Sequence, residues 1–537
     1  MRTIALNEKP QTEAALEEIY GQLGDANTVV VSYHRLSPSA RWSYGITKPS
    51  LDLVTRLKQR GLRVVVAAFG PAYALRPLVN TPADAVLCAY EDGEEMQRVV
   101  PQVLFGAVPA RGMMPVTVGD WRLGYGLFTA ANGRMAHSLP ESVGMRSAQL
   151  RQIDDIVQKA LKDRAFPGCQ VLVARKGKVV FEKSYGTLSY NGYERVTSET
   201  LYDLASLTKV LGTLQAVMLL SDRRLIDLNQ KVAHYLPEFA TSPKRNMTVN
   251  DLLLHQAGFP AGLPRAVERA KVPSGLKSGF YRTSRDSSRT LQVGPTLFAP
   301  TALKDSVWNW VVTTPLTARQ DEEGRYAYLY SDLSFVTLQK IVERVTGQSL
   351  DIFLEENLYK PIGATTLTFN PLVRRPAMRT APTENDTWFR NAVIQGTVHD
   401  QLAALQGGIS GHAGLFGTAS DVAKILQMNL QKGQFGGRRF LQPATPPLFA
   451  RTASDRSHRG LGWDKPEPDG NSSYVSPQAS VRSFGHTGFT GNVVWVDPDY
   501  DLVFVFLSNR VHPSAANTLI NTQKIRRQIH EAIYKSL

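Results

Sequence analysis

A serine and a lysine three positions apart are the residues of this chain best suited to nucleophilic chemistry. They stand in the segment Asp203–Lys209, where Ser206 is followed by Leu, Thr and Lys209. A serine hydroxyl is a poor nucleophile until a base removes its proton. A lysine amine serves as that base if burial lowers its pKa. The pair therefore indicates a serine nucleophile activated by a lysine.

A helix is expected to position this pair, because apolar residues recur from Gly212 to Leu219, directly after Lys209. Residues i and i+3 lie on one face of a helix, so the amine can reach the hydroxyl. A helix N-terminus also supplies free N–H groups that stabilise an oxyanion. Ser-x-x-Lys is nevertheless common by chance, and an N-capping serine followed by a surface lysine is the alternative interpretation.

Two further motifs follow along the chain. Tyr330–Asp332 (Tyr-Ser-Asp) lies 124 residues after Ser206, and His486–Gly488 (His-Thr-Gly) lies 280 residues after it, before the strand-like run 492–496. In order and approximate spacing, the three motifs resemble those of serine β-lactamases and penicillin-binding proteins. Tyr-Ser-Asp stands where class C enzymes have Tyr-x-Asn, and His-Thr-Gly stands where many members have Lys-Thr-Gly.

The resemblance implies a catalytic role for each matching residue. Ser206 would attack the substrate carbonyl, Lys209 would take the serine proton, and Tyr330 would pass a proton to the leaving group. The backbone N–H groups of Ser206 and Phe489 would form the oxyanion hole.

The resemblance also implies substrate contacts from Asp332, His486, Thr487 and Gly488. His486 is a weaker cation than lysine near neutral pH, and the Asp332 carboxylate would repel an anionic substrate. Both departures favour an esterase or peptidase over efficient penicillin hydrolysis. Alternatively, Asp332 pairs with His486 and keeps the imidazole protonated at neutral pH.

Three other segments fit the same family: 252–258, 358–363 and 507–510, similar to a helix and turn, a helix exit and a final sheet strand of class C-like esterases and D-aminopeptidases. The resemblance covers roughly residues 145–537. It implies an α+β domain in which an antiparallel sheet is flanked by helices, with a helical subdomain and the site between them.

Glycine-rich turns around His399 and His412 have two interpretations. They line the substrate pocket, which makes both histidines substrate-binding candidates, or they are structural turns in which Asp400 caps a helix. Metal binding by His399, Asp400 and His412 is poorly supported, because the chain has no His-Glu-x-x-His motif and no cysteine cluster. We therefore expect no metal and no cofactor.

The first part of the chain alternates strands and helices, with strands expected at 28–33, 62–69 and 85–90 and helices at 48–61 and 94–105. This order predicts an α/β domain with a parallel sheet. Segments 67–75, 89–91, 102–107 and 112–116 resemble the C-terminal domain of family-three glycoside hydrolases. Some bacterial proteins join a β-N-acetylhexosaminidase of that family to a class C-like serine hydrolase.

The resemblance to such a fusion sets the expected domain limits and a further expectation about activity. Residues 1–118 would be a partial glycosidase C-terminal domain, 119–145 a linker, and 146–537 the serine hydrolase domain. The glycosidase barrel with its nucleophilic aspartate is missing, so we expect no glycosidase activity from this chain.

Charge and composition exclude several other classes of protein. The net charge is +14, but residues 1–112 are nearly balanced and the excess is densest in the stretch 265–290, which is expected to be a long loop. We expect no nucleic-acid partner, no membrane span and no signal peptide. The sequence leaves the localisation open. A periplasmic or other extracytoplasmic location is compatible with the sequence if the chain is a fragment of a longer protein. The two cysteines, Cys88 and Cys169, are expected to be buried free thiols.

Together these observations predict a serine hydrolase that forms an acyl-enzyme on an ester, amide or D-peptide, with cell-wall material as one source of substrate. Two alternatives remain open. One is a catalytically weak, penicillin-binding-like receptor or accessory module, and the other is a glycosidase remnant whose first domain helps bind aminosugar polymers.

Overall fold

The computed structural model describes residues 3–6, 12–263, 265–271, 280–317, 321 and 325–537. The chain divides into two compact units, Met1–Ala136 and His137–Leu537. The domain limits 1–118, 119–145 and 146–537 stay a prediction.

The first unit is built on a parallel three-stranded sheet, as its alternating pattern predicts. The strands lie in the order β1 (Thr28–Tyr33), β2 (Arg63–Ala68), β3 (Ala85–Cys88). The helices are α1 (Glu13–Leu23), α2 (Lys48–Gln59) and α3 (Glu94–Leu104).

Strand β1 lies at the edge of this sheet, so the buried strand expected at 28–33 is wrong in one respect. Its first five residues alternate between exposed and half-buried, Val30 is 42% exposed, and only the last residue, Tyr33, is buried. The enclosed side chains lie on the central strand, where Val64 and Val66 are buried against Leu53 and Leu57 of α2. Both cysteines are free, but Cys88 at the end of β3 is only half-buried, whereas Cys169 is buried.

The second unit contains a six-stranded sheet in the order β16-β17-β18-β5-β6-β4, and the neighbours from β16 to β6 run antiparallel. A smaller antiparallel sheet has the order β10-β13-β7. The strands from the division onward are β4 (Ala136–His137), β5 (Gly168–Arg175), β6 (Lys178–Gly186), β7 (Tyr202–Asp203), β8 (Leu291–Gly294), β9 (Leu297–Ala299), β10 (Thr368–Phe369), β11 (Pro382–Asp386), β12 (Ala392–Gln395), β13 (Leu415–Gly417), β14 (Gln434–Phe435), β15 (Arg438–Arg439), β16 (Phe484–Thr487), β17 (Val493–Asp497) and β18 (Leu502–Ser508).

Helices cover both faces of the large sheet. The helices of the second unit are α4 (Ser147–Leu150), α5 (Gln152–Lys162), α6 (Leu214–Asp222), α7 (Val232–Tyr235), α8 (Val249–Leu253), α9 (Ala266–Lys271), α10 (Leu303–Thr313), α11 (Asp332–Thr346), α12 (Leu350–Leu354), α13 (Lys360–Ile362), α14 (Pro371–Arg374), α15 (Gln401–Leu405), α16 (Ala419–Leu430), α17 (Thr445–Ala450), α18 (Leu519–Thr522) and α19 (Ile525–Lys535). Apolar residues of α5 and α19 share a core with one face of the sheet. Helix α16 packs against β5, β17 and β18, whose alternate side chains point to the opposite face.

The stretch 265–290 is not the continuous loop that its composition predicts, because α9 occupies Ala266–Lys271. Its basic residue Lys277 lies outside the described residues. Among the residues that the structure describes, no helix combines the length and apolarity required to cross a bilayer.

Candidate active site

Ser206 lies in a turn between β7 and the buried helix that ends as α6. The residue before it, Ala205, has φ of +46°, a left-handed conformation that costs a non-glycine residue on the order of 1–3 kcal/mol. The Asp203 side chain accepts a hydrogen bond from the Ala205 N–H at 2.9 Å and stabilises that conformation. Helical turns start at Leu207, include a π-helical turn over Lys209–Thr213, and continue into α6. The predicted helix after the serine is confirmed.

Lys209 is fully buried and each of its three ammonium protons has an acceptor. Its Nζ donates to Ser206 Oγ at 3.2 Å, to Asp332 Oδ1 at 2.7 Å and to the His412 carbonyl at 3.2 Å. The surface-lysine alternative for this motif is therefore wrong. Three acceptors around one nitrogen are the surroundings of an ammonium ion.

The pKa of Lys209 moves in the direction opposite to the sequence-based expectation. Burial alone would lower it, but the Asp332 carboxylate and the Tyr330 side chain outweigh burial and raise the pKa of Lys209 above its ordinary value. Lys209 is therefore protonated in the free protein, and it becomes a base only when another group accepts its proton.

The second motif enters the site at the start of α11. Ser331 caps this helix, accepting from Leu333 N–H at 3.2 Å and donating to the Pro260 carbonyl at 2.6 Å, which fixes the residues on either side of it. The Tyr330 ring lies 4.9 Å from Lys209 Nζ. Asp332, which is 28% exposed, turns its carboxylate toward the lysine, so the alternative in which it pairs with His486 is wrong.

The third motif forms β16 at the edge of the six-stranded sheet. His486 Nδ1 donates to the Thr487 carbonyl at 2.7 Å, and its Nε2 is buried without a partner among the described residues. Burial, reinforced by the Arg459 cation, lowers the pKa of His486 to about 3. The imidazole is therefore neutral at physiological pH, and the expectation that His486 acts as a weak cation near neutral pH is wrong. Thr487 is half-buried beside it.

The predicted oxyanion-hole donors meet one requirement of that role. Within the described part of the chain, neither the Ser206 N–H nor the Phe489 N–H donates a hydrogen bond to another group of the protein. Phe489 is 53% exposed, and its ring lies 5.5 Å from the His399 ring and 4.7 Å from the Arg510 guanidinium. Arg510 Nε also donates to the Phe489 carbonyl at 2.9 Å.

The two histidines of the glycine-rich region, His399 and His412, have different partners. His399 Nε2 contacts Glu384 at 2.7 Å, and its ring faces Phe489. His412 is buried and contacts Asp400 at 2.8 Å through Nε2. Asp400 accepts from the Ala403 N–H as the N-cap of α15, so the structural interpretation of Asp400 is confirmed.

Oxygen and nitrogen atoms of Asp332, Asp400 and His412 lie within 4.8 Å of one another, close enough to share a metal ion. The surroundings fit an ion-pair network better than a metal. Lys209 already places a positive charge 2.7 Å from Asp332, and His412 lowers the pKa of Asp400 by pairing with it.

Two residues that lie beside Tyr330 were not identified from the sequence. His255 is buried with its ring 4.6 Å from the Tyr330 ring, and it accepts from the Ser331 N–H at 3.0 Å. Arg459 is buried 5.7 Å from the same ring and pairs with Asp464 at 3.2 Å. His255 lies in the segment 252–258 noted above, but no local pattern distinguishes Arg459 from the other arginines.

The fold and the serine–lysine–tyrosine arrangement define a protein class. Residues 153–526 match the Beta-lactamase family model, and the chain belongs to that family. The first unit lies outside this match.

Two curated relatives match most of their own length. A protein from Escherichia coli (strain K12) named "Putative D-alanyl-D-alanine carboxypeptidase" is 31% identical over 412 residues, covering 71% of this chain and 87% of the relative. A Salmonella gallinarum protein of the same name is 32% identical over 411 residues, with the same coverage.

Two solved structures share the fold. EstCE1, titled a hydrolase with promiscuous acyltransferase activity, aligns with a TM-score of 0.53 at 20% identity over 72% of this chain and 99% of its own. A penicillin-binding protein homologue from Caulobacter crescentus aligns with a TM-score of 0.51 at 20% identity over 73% of this chain and 99% of its own.

Proposed function

We propose that this protein is a serine hydrolase that acts through an acyl-enzyme on Ser206. The observation that carries the proposal is the contact between Lys209 Nζ and Ser206 Oγ at 3.2 Å inside a fully buried lysine site. A nucleophile within hydrogen-bond reach of a base, oriented in turn by a third group, is typical of acyl transfer. Here the third group is Asp332, at 2.7 Å from the same amine.

The raised pKa of Lys209 determines the proton route that we propose. As Ser206 Oγ bonds to the substrate carbonyl carbon, its proton passes to Lys209, and one lysine proton passes to Asp332. Tyr330 then protonates the leaving group as the bond from that group to the carbonyl carbon breaks, and recovers a proton from Lys209. Asp332 returns its proton to Lys209, so Lys209, Asp332 and Tyr330 end as they began while Ser206 is acylated. Water then attacks the acyl carbonyl carbon, its proton passes by the same route to Ser206 Oγ as the bond from Oγ to that carbon breaks, and the acid product leaves.

The oxyanion hole in this proposal consists of the N–H groups of Ser206 and Phe489. Both are left without an acceptor in the described residues, as donors to a developing oxyanion must be. Removing one such donor typically costs on the order of 10²–10³ in kcat, so these two groups account for a large share of the expected rate.

The charged groups beside Tyr330 favour an ester or an amide without a free carboxylate. Lys209 is paired with Asp332, and Arg459 is paired with Asp464. His486 is neutral because its pKa is about 3. Each of these groups is a poor partner for a substrate carboxylate, which otherwise needs an unpaired cation.

D-alanyl peptides are the second candidate substrate class. The observation that favours them is the identity of 31–32% with relatives named as D-alanyl-D-alanine carboxypeptidases. Release of D-alanine from a D-alanyl-D-alanine peptide, measured beside hydrolysis of p-nitrophenyl butyrate, separates the two classes. Cell-wall material would supply such peptides.

The test of the proposed mechanism is hydrolysis of p-nitrophenyl butyrate by Ser206→Ala and Lys209→Ala. We expect losses on the order of 10³-fold or more, because members of a nucleophile–base unit act together. Ser306→Ala is the matched control, since Ser306 is exposed on α10 and bonds only to the Ala302 carbonyl in the described residues. Unchanged activity in Ser206→Ala would overturn the mechanism.

For the first unit, we propose descent from the C-terminal domain of a family-three glycoside hydrolase. Its parallel sheet with flanking helices is compatible with that origin, as are the segments quoted above. Glycoside hydrolysis needs two positioned carboxyl groups, and we expect no hydrolysis of nitrophenyl N-acetylglucosaminide by this chain. Turnover of that substrate that survives Ser206→Ala would contradict this expectation.

A further inference from the structure

A single buried aspartate, Asp203, connects the chain around Ser206 to two other loops. It is 1% exposed. Its Oδ1 accepts from the Ala205 N–H at 2.9 Å, and its Oδ2 accepts from the His399 N–H at 2.7 Å. Burial raises the pKa of Asp203, and these two hydrogen bonds act in the opposite direction. The carboxylate therefore holds the left-handed residue that immediately precedes Ser206.

The main-chain carbonyl of Asp203 binds the turn that carries Phe489. Thr490 Oγ1 donates to it at 2.8 Å and Asn492 Nδ2 donates to it at 2.9 Å. Asn492 Nδ2 also contacts Thr490 Oγ1 at 2.9 Å. Thr490 and Asn492 are both 0% exposed, so these hydrogen bonds are shielded from water and a lost partner is costly.

The two segments also touch through their backbones at Gly488. A Cβ atom on Gly488 would lie 2.7 Å from the Leu204 carbonyl oxygen, closer than real Cβ contacts allow. The turn itself is closed by hydrogen bonds from Gly491 N–H to the Gly488 carbonyl and from Gly488 N–H to the Asn492 carbonyl, each at 2.9 Å. A rigid turn therefore rests directly on the segment that leads into Ser206.

We infer that Asp203, Thr490 and Asn492 form a brace that sets the position of the Phe489 N–H relative to the Ser206 N–H. The three are positioning residues: they act through the two backbone donors. The inference rests on the proposed function, because those donors matter only if an oxyanion forms between them.

The brace predicts a specific kinetic defect. Oxyanion donors must lie about 2.7–3.1 Å from the oxyanion, and misplacement by about 1 Å can cost roughly 10²-fold in rate. The oxyanion forms during the reaction and is absent from the bound substrate. Misplaced donors therefore lower kcat more than they raise KM. Thr490→Val keeps the shape of the side chain but removes the hydroxyl that reaches Asp203.

The experiment measures kcat and KM for p-nitrophenyl butyrate in the full chain. We expect Thr490→Val to lower kcat roughly 10–100-fold with KM within about threefold, and Thr490→Ser to recover most of the loss. The matched control is Thr337→Val, because Thr337 is also 0% exposed and also donates to a carbonyl at 2.8 Å, but within α11. Both valine variants are expected to lower Tm by similar amounts, so stability does not explain the difference in kcat.

The outcomes separate the brace from the proposed function. Equal kcat in wild type, Thr490→Val and Thr337→Val overturns the brace and leaves the serine mechanism standing. Equal losses of kcat in the two valine variants also overturn it, because the effect then follows stability. A wild type with no activity that depends on Ser206 overturns the proposed function and the brace together.

Discussion

Replacing Asp332 with asparagine removes the carboxylate beside Lys209 and keeps the shape of the side chain. The two charged atoms are 2.7 Å apart, with side-chain exposures of 0% for the lysine and 28% for the aspartate. Their Coulomb attraction is roughly 6 kcal/mol at an effective dielectric constant of about 20. When the pair is broken, the groups around it regain contacts with water, which offsets part of this energy. We expect Asp332→Asn to lower the free energy of unfolding by about 3–5 kcal/mol near pH 6, as for other broken buried pairs.

The loss should depend on pH with a defined sign. In wild type the folded pKa of Lys209 is raised, so the pair's stabilisation is complete below the pKa of an unfolded lysine and is lost only at higher pH. In the variant, burial dominates and lowers the pKa of Lys209, so the unfolded state binds more protons and stability rises with pH. The difference from wild type should shrink between pH 6 and pH 9, by at most about 1.4 kcal/mol per unit.

Urea unfolding of wild type and Asp332→Asn at pH 6, 7, 8 and 9 measures this difference. The matched control is Asp499→Asn, which breaks an exposed pair with Arg482 at 2.8 Å, and exposed pairs are worth about 0–1 kcal/mol. A loss in Asp332→Asn no larger than in the control, or one that is the same at pH 6 and pH 9, would refute the coupled pair.

Two buried histidines carry further predictions. Burial lowers the pKa of His530 to about 3, so the free energy of unfolding should fall as pH drops from about 6.5 toward 3, by up to about 1.4 kcal/mol per pH unit. Urea unfolding of His530→Gln between pH 4 and pH 7 should therefore show a shallower fall than wild type. An identical slope in the two proteins would contradict this. Burial lowers the pKa of His486 to about 3, so the kcat/KM for a carboxylated ester divided by that for a neutral ester should stay constant from pH 5.5 to 8. His486→Lys should raise this ratio. A step in the wild-type ratio near pH 6–7 would show that His486 does protonate.

Much of the fold was accessible from sequence because local patterns agree with the final structure. The Val-rich strand of the first unit occupies Arg63–Ala68, within the run 62–69 that its hydrophobicity predicts. In the second unit, the strand-like runs 168–175 and 178–184, joined at Lys176 and Gly177, predict a hairpin, and β5 and β6 turn at these two residues, both with positive φ. Exposure of β1 was not accessible, because its position at the sheet edge depends on strand order and not on its own residues.

The sequence predicts which three motifs form the site, but it does not predict the protonation states of the residues within them. The spacing of Ser206 and Lys209 predicts their contact, and the structure places Ser206 directly before the helical turns that contain Lys209. The pKa of Lys209 depends on Asp332, 123 residues away in the chain, and that of His486 depends on burial and on Arg459. Such long-range pairings have no local signature, so the pKa of Lys209 was expected to be lowered although it is raised, and the lowered pKa of His486 was not expected.

Covalent labelling of Ser206 tests the central claim most directly. The protein is treated with a fluorophosphonate, digested, and the peptide that contains Ser206 is analysed by mass spectrometry. We predict one phosphonyl adduct on Ser206, formed on the order of 10³-fold more slowly in Lys209→Ala, as expected for a nucleophile–base unit. An unmodified Ser206 in a protein that hydrolyses p-nitrophenyl butyrate, or an adduct on another residue alone, would contradict it.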